Sequence, residues 1–149
     1  MNKQYIQKII WIKFRIVMSI IFLWAFFDKT FGLGFSTKPE GAWINGGSPT
    51  SGYLLNATRG PFAEFFQSLA GIPLVDWLFM LGLLGVGGAL LINKFIWIAA
   101  ISGSVMMFLM WFASFPPTVN PLFDYHVVYI FALLVVALHS KPISKNKLK

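Results

Sequence analysis

Phe22-Leu23-Trp24-Ala25-Phe26-Phe27-Asp28-Lys29-Thr30-Phe31-Gly32-Leu33-Gly34-Phe35 is the stretch that decides the fold class. An aromatic, apolar run meets an adjacent acid and base before any loop signal appears. Taken back to Ile9, a helix ending at Phe31 would rise about 35 Å, enough to cross the hydrocarbon core of a bilayer and set Asp28 near one face. Ionisable groups are costly within a span, so an acid at that depth is paired, wetted or kept for a function.

The rest of the chain fits the same solvent. Of 149 residues, 57% are hydrophobic and only 11% charged, far from the balance of a soluble domain. Four apolar segments stand out, at 9–31, 74–92, 95–115 and 121–140, each near the length a spanning helix needs. The expected fold is all-α: an integral membrane four-helix bundle forming a single domain over residues 1–149. The first segment is too long for a signal-peptide core and no small-x-small cleavage site follows it, so it reads as a retained anchor.

The net charge of +7 does not point to nucleic acid, because the bases form no patch interleaved with aromatics. Lys3, Lys8, Lys13 and Arg15 accompany the first span, and Lys141, Lys145, Lys147 and Lys149 follow the last. By the positive-inside rule both termini lie in the cytoplasm, with Lys94 between the second and third spans on the same side. Long side chains let Lys13 and Arg15 bend back to that interface. The acids Asp28, Glu40, Glu64, Asp76 and Asp124 then fall on the outer side, with only Lys29, Lys38 and Arg59 as outer bases.

A loop of about forty residues joins the first two spans, too long to be structureless in a compact protein. Its first part, from Gly41 to Tyr53, is dense in turn formers, with Trp43 and Tyr53 placed to pin it at the interface. The turn Gly46-Gly47-Ser48-Pro49-Thr50 could cradle an anion through backbone amides. From Pro61, the residues Phe62, Phe65, Phe66 and Leu69 recur at helical spacing, which predicts a short amphipathic helix at the interface. In the second and third spans, Gly85 with Ala89 and Ala99 with Gly103 predict a close antiparallel pair. Asn120-Pro121 reads as a cap and first helical position for the fourth span, with Asp124 in its first turn.

Two groups could carry chemistry. Asp28 is either an interfacial acid that ends a span or an inward group near Trp24, Phe27 and Phe31; it does not face its neighbour Lys29, about 100° away around the helix. Asp124-Tyr125-His126 offers an imidazole able to pass protons near neutrality, or one simply hydrogen-bonded to a neighbour. His126 and His139 lie about 20 Å apart along one helix and cannot share a haem iron within one chain. Without cysteine the chain cannot ligate an iron–sulfur cluster through thiolates, and the acids and histidines lack a recognisable metal-ligand spacing. Met106, Met107 and Met110 read as adaptable packing. No nucleophile elbow or dinucleotide fingerprint appears, which argues against a self-contained hydrolase or dehydrogenase.

The segment 22–29 closing a first span, then Ala42-Trp43-Ile44-Asn45-Gly46-Gly47-Ser48-Pro49-Thr50, Asp76-Trp77 opening a glycine-rich span, Pro116-Pro117, Asn120-Pro121 and Asp124-Tyr125-His126 together resemble the DoxX family along nearly the whole chain. The resemblance implies a small four-helix protein of a prokaryotic inner membrane and a role in quinone-linked electron transfer, since related DoxD proteins are named as the membrane subunit of thiosulfate:quinone oxidoreductase. On that expectation Trp24, Phe27, Phe31 and Trp43 pack a quinone ring, and Asp28 or His126 exchanges protons. Lys29, Asn45, Arg59 and Asp124 meet an anionic donor such as thiosulfate, while a partner redox subunit or a second copy supplies the electrons. The other reading is a non-catalytic membrane anchor or assembly factor whose outer loop docks another protein.

Overall fold

The computed structural model describes residues 2–118, 120 and 122–140, and every regular element among them is helical. In chain order the helices are α1 (Lys3–Phe31), α2 (Ser51–Asn56), α3 (Ala63–Ser68), α4 (Pro73–Ile92), α5 (Ile96–Ala113) and α6 (Tyr125–His139). Three of them, α1, α4 and α5, are long and apolar enough to cross a membrane, with mean hydropathy of 2.0, 2.0 and 1.9 in their most apolar windows. The fourth apolar helix, α6, has 15 residues and rises about 22 Å.

Local chemistry explains the ends. The Asn2 side chain accepts from the Gln4 N–H and starts α1 six residues ahead of the expected Ile9. α1 stops at Gly32, which is left-handed at φ 64 and returns its N–H to the Asp28 carbonyl; a Cβ there would come within 2.6 Å of Pro39 Cα, so only glycine fits. α5 ends at Ala113, ahead of Pro116-Pro117. The fourth segment begins later than expected. Asn120 Oδ1 accepts from the N–H groups of Leu122 and Phe123, forming a turn of its own, and Asp124 takes the cap by accepting from the His126 N–H at 2.9 Å. Pro121 and the basic tail from Lys141 lie outside the described residues.

Met18 and Phe22 of α1, Met80 and Val86 of α4, Met107 of α5 and Leu133 of α6 meet in one buried core. The pairing of helices differs from the expected α4–α5 partnership: α1 packs mainly on α4 and α5 mainly on α6, while α4 and α5 touch less. The small residues show why. Gly87 of α4 receives Leu23 of α1, where a Cβ would lie 2.7 Å from Leu23 Cγ, and Gly103 of α5 receives Leu133 of α6, where it would lie 2.8 Å from Cδ1. Gly85 faces open space instead. A small residue draws in whichever helix occupies its face, and spacing alone does not say which one that is.

Polar contacts reinforce the α1–α4 pair. Ser19 Oγ donates to the Gly87 carbonyl at 2.7 Å, and the Arg15 guanidinium donates to the Leu90 and Leu91 carbonyls at the end of α4. Those carbonyls have no partner within the helix, so a cation there satisfies both the hydrogen bonds and the helix dipole.

The loop from Gly32 to Ile72 is structured. Besides 3-10 turns at Pro39–Gly41, Trp43–Asn45 and Gly60–Phe62, it forms α2, where turn formers alone were expected, and α3, the predicted amphipathic helix. Leu54 of α2 and Phe66 of α3 are buried against Ala113 of α5, and the Arg59 N–H donates to the Ala113 carbonyl at 3.0 Å. Phe62 and Phe65 stay exposed, as do Ile20 and Trp24 of α1, Leu81 of α4, Ile101 of α5 and Phe131 of α6. Apolar side chains turned outward on all four long helices are the reverse of a water-facing surface.

Candidate functional site

Asp28, nominated from the sequence, and Asp76, which was not, are both tied to the loop. Asp28, in the last turn of α1, is 1% exposed; its Oδ1 accepts from the Phe35 N–H at 3.2 Å, and its Oδ2 accepts from the Ser36 N–H at 2.9 Å and the Ser36 hydroxyl at 2.6 Å. Asp76, in the first turn of α4, does the same for the second half of the loop. Its Oδ1 accepts from the Ser48 hydroxyl at 2.9 Å, the Thr50 N–H at 3.1 Å and the Thr50 hydroxyl at 2.6 Å. The Gly-Gly-Ser-Pro-Thr turn holds the chain's own carboxylate, through two hydroxyls and one backbone N–H rather than through the expected cradle of backbone amides. Charge-assisted bonds of this kind are the strong ones, and they fold the loop back onto both helix ends.

His126 sits in the first turn of α6 and is 2% exposed. Its Nδ1 lies 2.7 Å from Asp124 Oδ2. An ionised carboxylate can only accept, so Nδ1 carries a proton and points it at Asp124. The other ring nitrogen, Nε2, is buried with no hydrogen-bond partner among the described residues. Leaving a polar atom so placed costs about 1–3 kcal/mol, and among the described residues Ser104 Oγ is the other buried side-chain atom in that position. The Tyr125 ring lies 4.1 Å from the imidazole, and the edge of Tyr53 of α2 meets it at 6.2 Å.

Tyr53 also lines a cavity of about 410 Å³ between α4, α5 and the two short loop helices. The walls are apolar: Leu54, Phe66, Val75, Phe79, Met106 and Met110 contribute, and Leu78, Val105 and Leu109 open one flank to the molecule's exterior. Lys29 is the single charged residue in the lining, and no ion pair or hydrogen bond holds its ammonium among the described residues. The hydroxyls nearby are committed: Thr50 to Asp76, Tyr53 to the Met110 carbonyl at 2.7 Å, and Ser102 to the Ile98 carbonyl at 2.8 Å. Burial pushes the Tyr53 phenol pKa up, so it stays a donor across the physiological range.

The residues expected to gather around one ligand are therefore distributed. Lys29 alone among them lines the cavity. Trp24, Phe27 and Phe31 lie on the outward side of α1, at 46%, 42% and 50% exposed, with Trp24 edge-on to Phe35 and Phe27 stacked with Phe31. Trp43 is half-buried against Trp77 at 4.6 Å. Asn45 donates to the Pro39 carbonyl at 2.9 Å and closes a turn, and Arg59 is exposed. His139, at the far end of α6 from His126, stacks on Trp11 at 3.7 Å. Among the described residues no group of three His, Asp or Glu side chains is placed to hold a metal ion.

What sequence reasoning missed is the cavity wall. Its signal is present: Val75, Leu78, Phe79 and Gly82 on α4, and Ser102, Val105, Met106, Leu109, Met110 and Ala113 on α5, recur at the spacing of one helix face. In an apolar span that pattern does not separate a cavity wall from a helix contact.

No protein-family model, curated protein or solved structure matches the chain.

Proposed function

We propose that this chain is an integral membrane protein of the DoxX kind, serving as the quinone-holding subunit of a membrane redox system in a prokaryotic inner membrane. In this reading α1, α4, α5 and α6 cross the bilayer as a four-helix bundle, the termini are cytoplasmic and the loop from Gly32 to Ile72 lies on the outer side. The single observation that carries it is the apolar cavity with one flank open and one cation inside. A ligand pocket of a few hundred cubic ångströms lined by apolar groups with few polar ones suits a lipid-soluble molecule arriving from the bilayer.

The residues present fit a quinone. Phe66, Phe79 and the methionines offer a flexible apolar wall for the ring. Lys29 is placed to donate to a carbonyl oxygen. A bound quinone supplies two-electron, two-proton chemistry. Of the two acid–base groups nominated at this end, His126 has a ring nitrogen, Nε2, without a hydrogen-bond partner among the described residues, whereas both oxygens of Asp28 are engaged. His126 is not in the lining but meets the ring of Tyr53, which is, so in this reading it exchanges protons from behind that wall, with Asp124 holding the imidazole at 12% side-chain exposure. Electrons come from a partner redox subunit, with thiosulfate as the donor that the family resemblance implies.

The test is binding of a ubiquinone or menaquinone analogue to the purified full chain in lipid nanodiscs, followed by quenching of tryptophan fluorescence. Lys29→Met is expected to weaken binding about tenfold. Wild type that binds neither analogue would sink the reading. The exposed Phe35 and Ile44 on the rigid loop favour the second reading, a non-catalytic anchor or assembly factor. That one gains if a soluble partner co-purifies with the chain while thiosulfate-dependent quinone reduction is unchanged by Lys29→Met and His126→Ala.

A further inference from the structure

The glycines of α4 and α5 fall into three kinds. Gly87 and Gly103 are filled to the limit by Leu23 and Leu133, so they are packing positions. Gly85 and Gly88 would place a Cβ in open space. Gly82 is different: it lines the cavity, and the nearest atom to its Cβ would be the Met106 sulfur at 3.2 Å, the far end of a flexible side chain. A side chain there would need only the end of Met106 to shift by a few tenths of an ångström. An apolar helix interior favours almost any other residue by up to about 1 kcal/mol.

The charged group of the cavity stands at one end. Lys29, Thr50 and Tyr53 stand at the loop end. Gly82 lies seven residues further along α4 than Val75, about 10 Å at the helical rise, and shares the lining with Ser102 and Val105 of α5. Ser102, Val105 and Leu78 line the cavity and are exposed, so this flank opens to the molecule's exterior.

We propose that Gly82 is the exit for the ligand's apolar tail: the polar head rests against Lys29, and an alkyl or isoprenoid tail passes between α4 and α5 over Gly82 into the surrounding lipid. The class of ligand is thereby narrowed to a quinone bearing a long, slender tail. This rests on the quinone reading of the cavity. With no Cβ at Gly82, the Met106 thioether is the nearest group over it, and a branched residue there fills that space without touching the head site. Met106 can move aside for a tail as it could for a small side chain, because its sulfur ends an unbranched, rotatable chain.

The experiment compares two quinones with one head group, a dimethoxy-methyl-benzoquinone without a tail and with a ten-carbon tail, on the full-length protein in nanodiscs. Binding is followed by competition, so that partitioning of the tailed compound into lipid cancels between variants. Gly82→Leu is expected to weaken the tailed compound at least tenfold and the tailless one less than twofold, and Gly85→Leu to change neither. Both leucines raise helix propensity, and circular dichroism confirms that each variant is folded. Wild type and variants that bind both compounds, with Gly82→Leu treating the two alike, would overturn the tail exit and leave the cavity reading standing. Wild type that binds neither compound overturns both.

Discussion

Asp28 and His126 were nominated together as groups able to move protons, and both are almost wholly buried, at 1% and 2% exposed. Their surroundings could hardly differ more. Three loop donors converge on the Asp28 carboxylate, whereas the imidazole is held on one side by Asp124 and left without a partner on the other. The first pattern is what a fold builds to hold a loop. The second carries a cost that the fold alone does not explain, since an apolar side chain of similar size would remove it. Burial of a titratable group is therefore a poor guide by itself, and the number of its unanswered hydrogen bonds is a better one.

The widest separation between the two patterns should appear in stability. Asp76→Ala and Asp28→Ala each strip an acceptor from three donors, so each should cost about 3 kcal/mol, read as a lowered midpoint in thermal unfolding of the detergent-solubilised protein. A loss below 1 kcal/mol in both would break the contrast. Asp124→Ala removes the cap of α6 and the brace of the imidazole, for a loss of about 1–2 kcal/mol by the same measurement.

His126→Leu sharpens the contrast from the other side. It removes the unanswered nitrogen and leaves the Asp124 cap in place, so stability should change by less than about 1 kcal/mol in either direction. A loss comparable with that of Asp28→Ala would assign His126 to the scaffold. The smallest effect concerns Tyr53. Its phenol has a raised pKa in the folded state, chiefly through burial, so the unfolded chain ionises first and the stability this group contributes is lost as pH rises above about 10. Tyr53→Phe should flatten the decline of the unfolding midpoint between pH 9 and 11 relative to wild type, and an unchanged slope would show that the hydroxyl is already wet.

Much of the fold was legible in the sequence. Hydropathy and length located the three long helices within two residues at most ends, because apolar content and the glycine or proline stops act locally; the start of α1, set six residues earlier by the Asn2 cap, is the exception. The start of α6 was misplaced, since Asn120 and Asp124 are equally good caps by type and only the turn between them decides. α2 was missed because Ser51-Gly52 carries poor helix propensity and the helix is held by Leu54 against a distant element. The site was less legible still. Asp76 meets Ser48 and Thr50 across 28 and 26 residues, and no spacing rule links them. Choosing Asp28 and His126 needed only their chemistry, but telling them apart required the partners that the folded loop supplies.

The contacts along α1 and α4 also bear on how the molecule can move. Arg15 on the last carbonyls of α4, Ser19 on Gly87 and Leu23 seated over the same glycine fasten the two helices at successive turns. Such a pair behaves as a single beam. The joint to α5 is short, and Asn93 and Phe95, left-handed on either side of Lys94, reverse the chain within it, so the direction in which α5 leaves the beam is set by two backbone conformations.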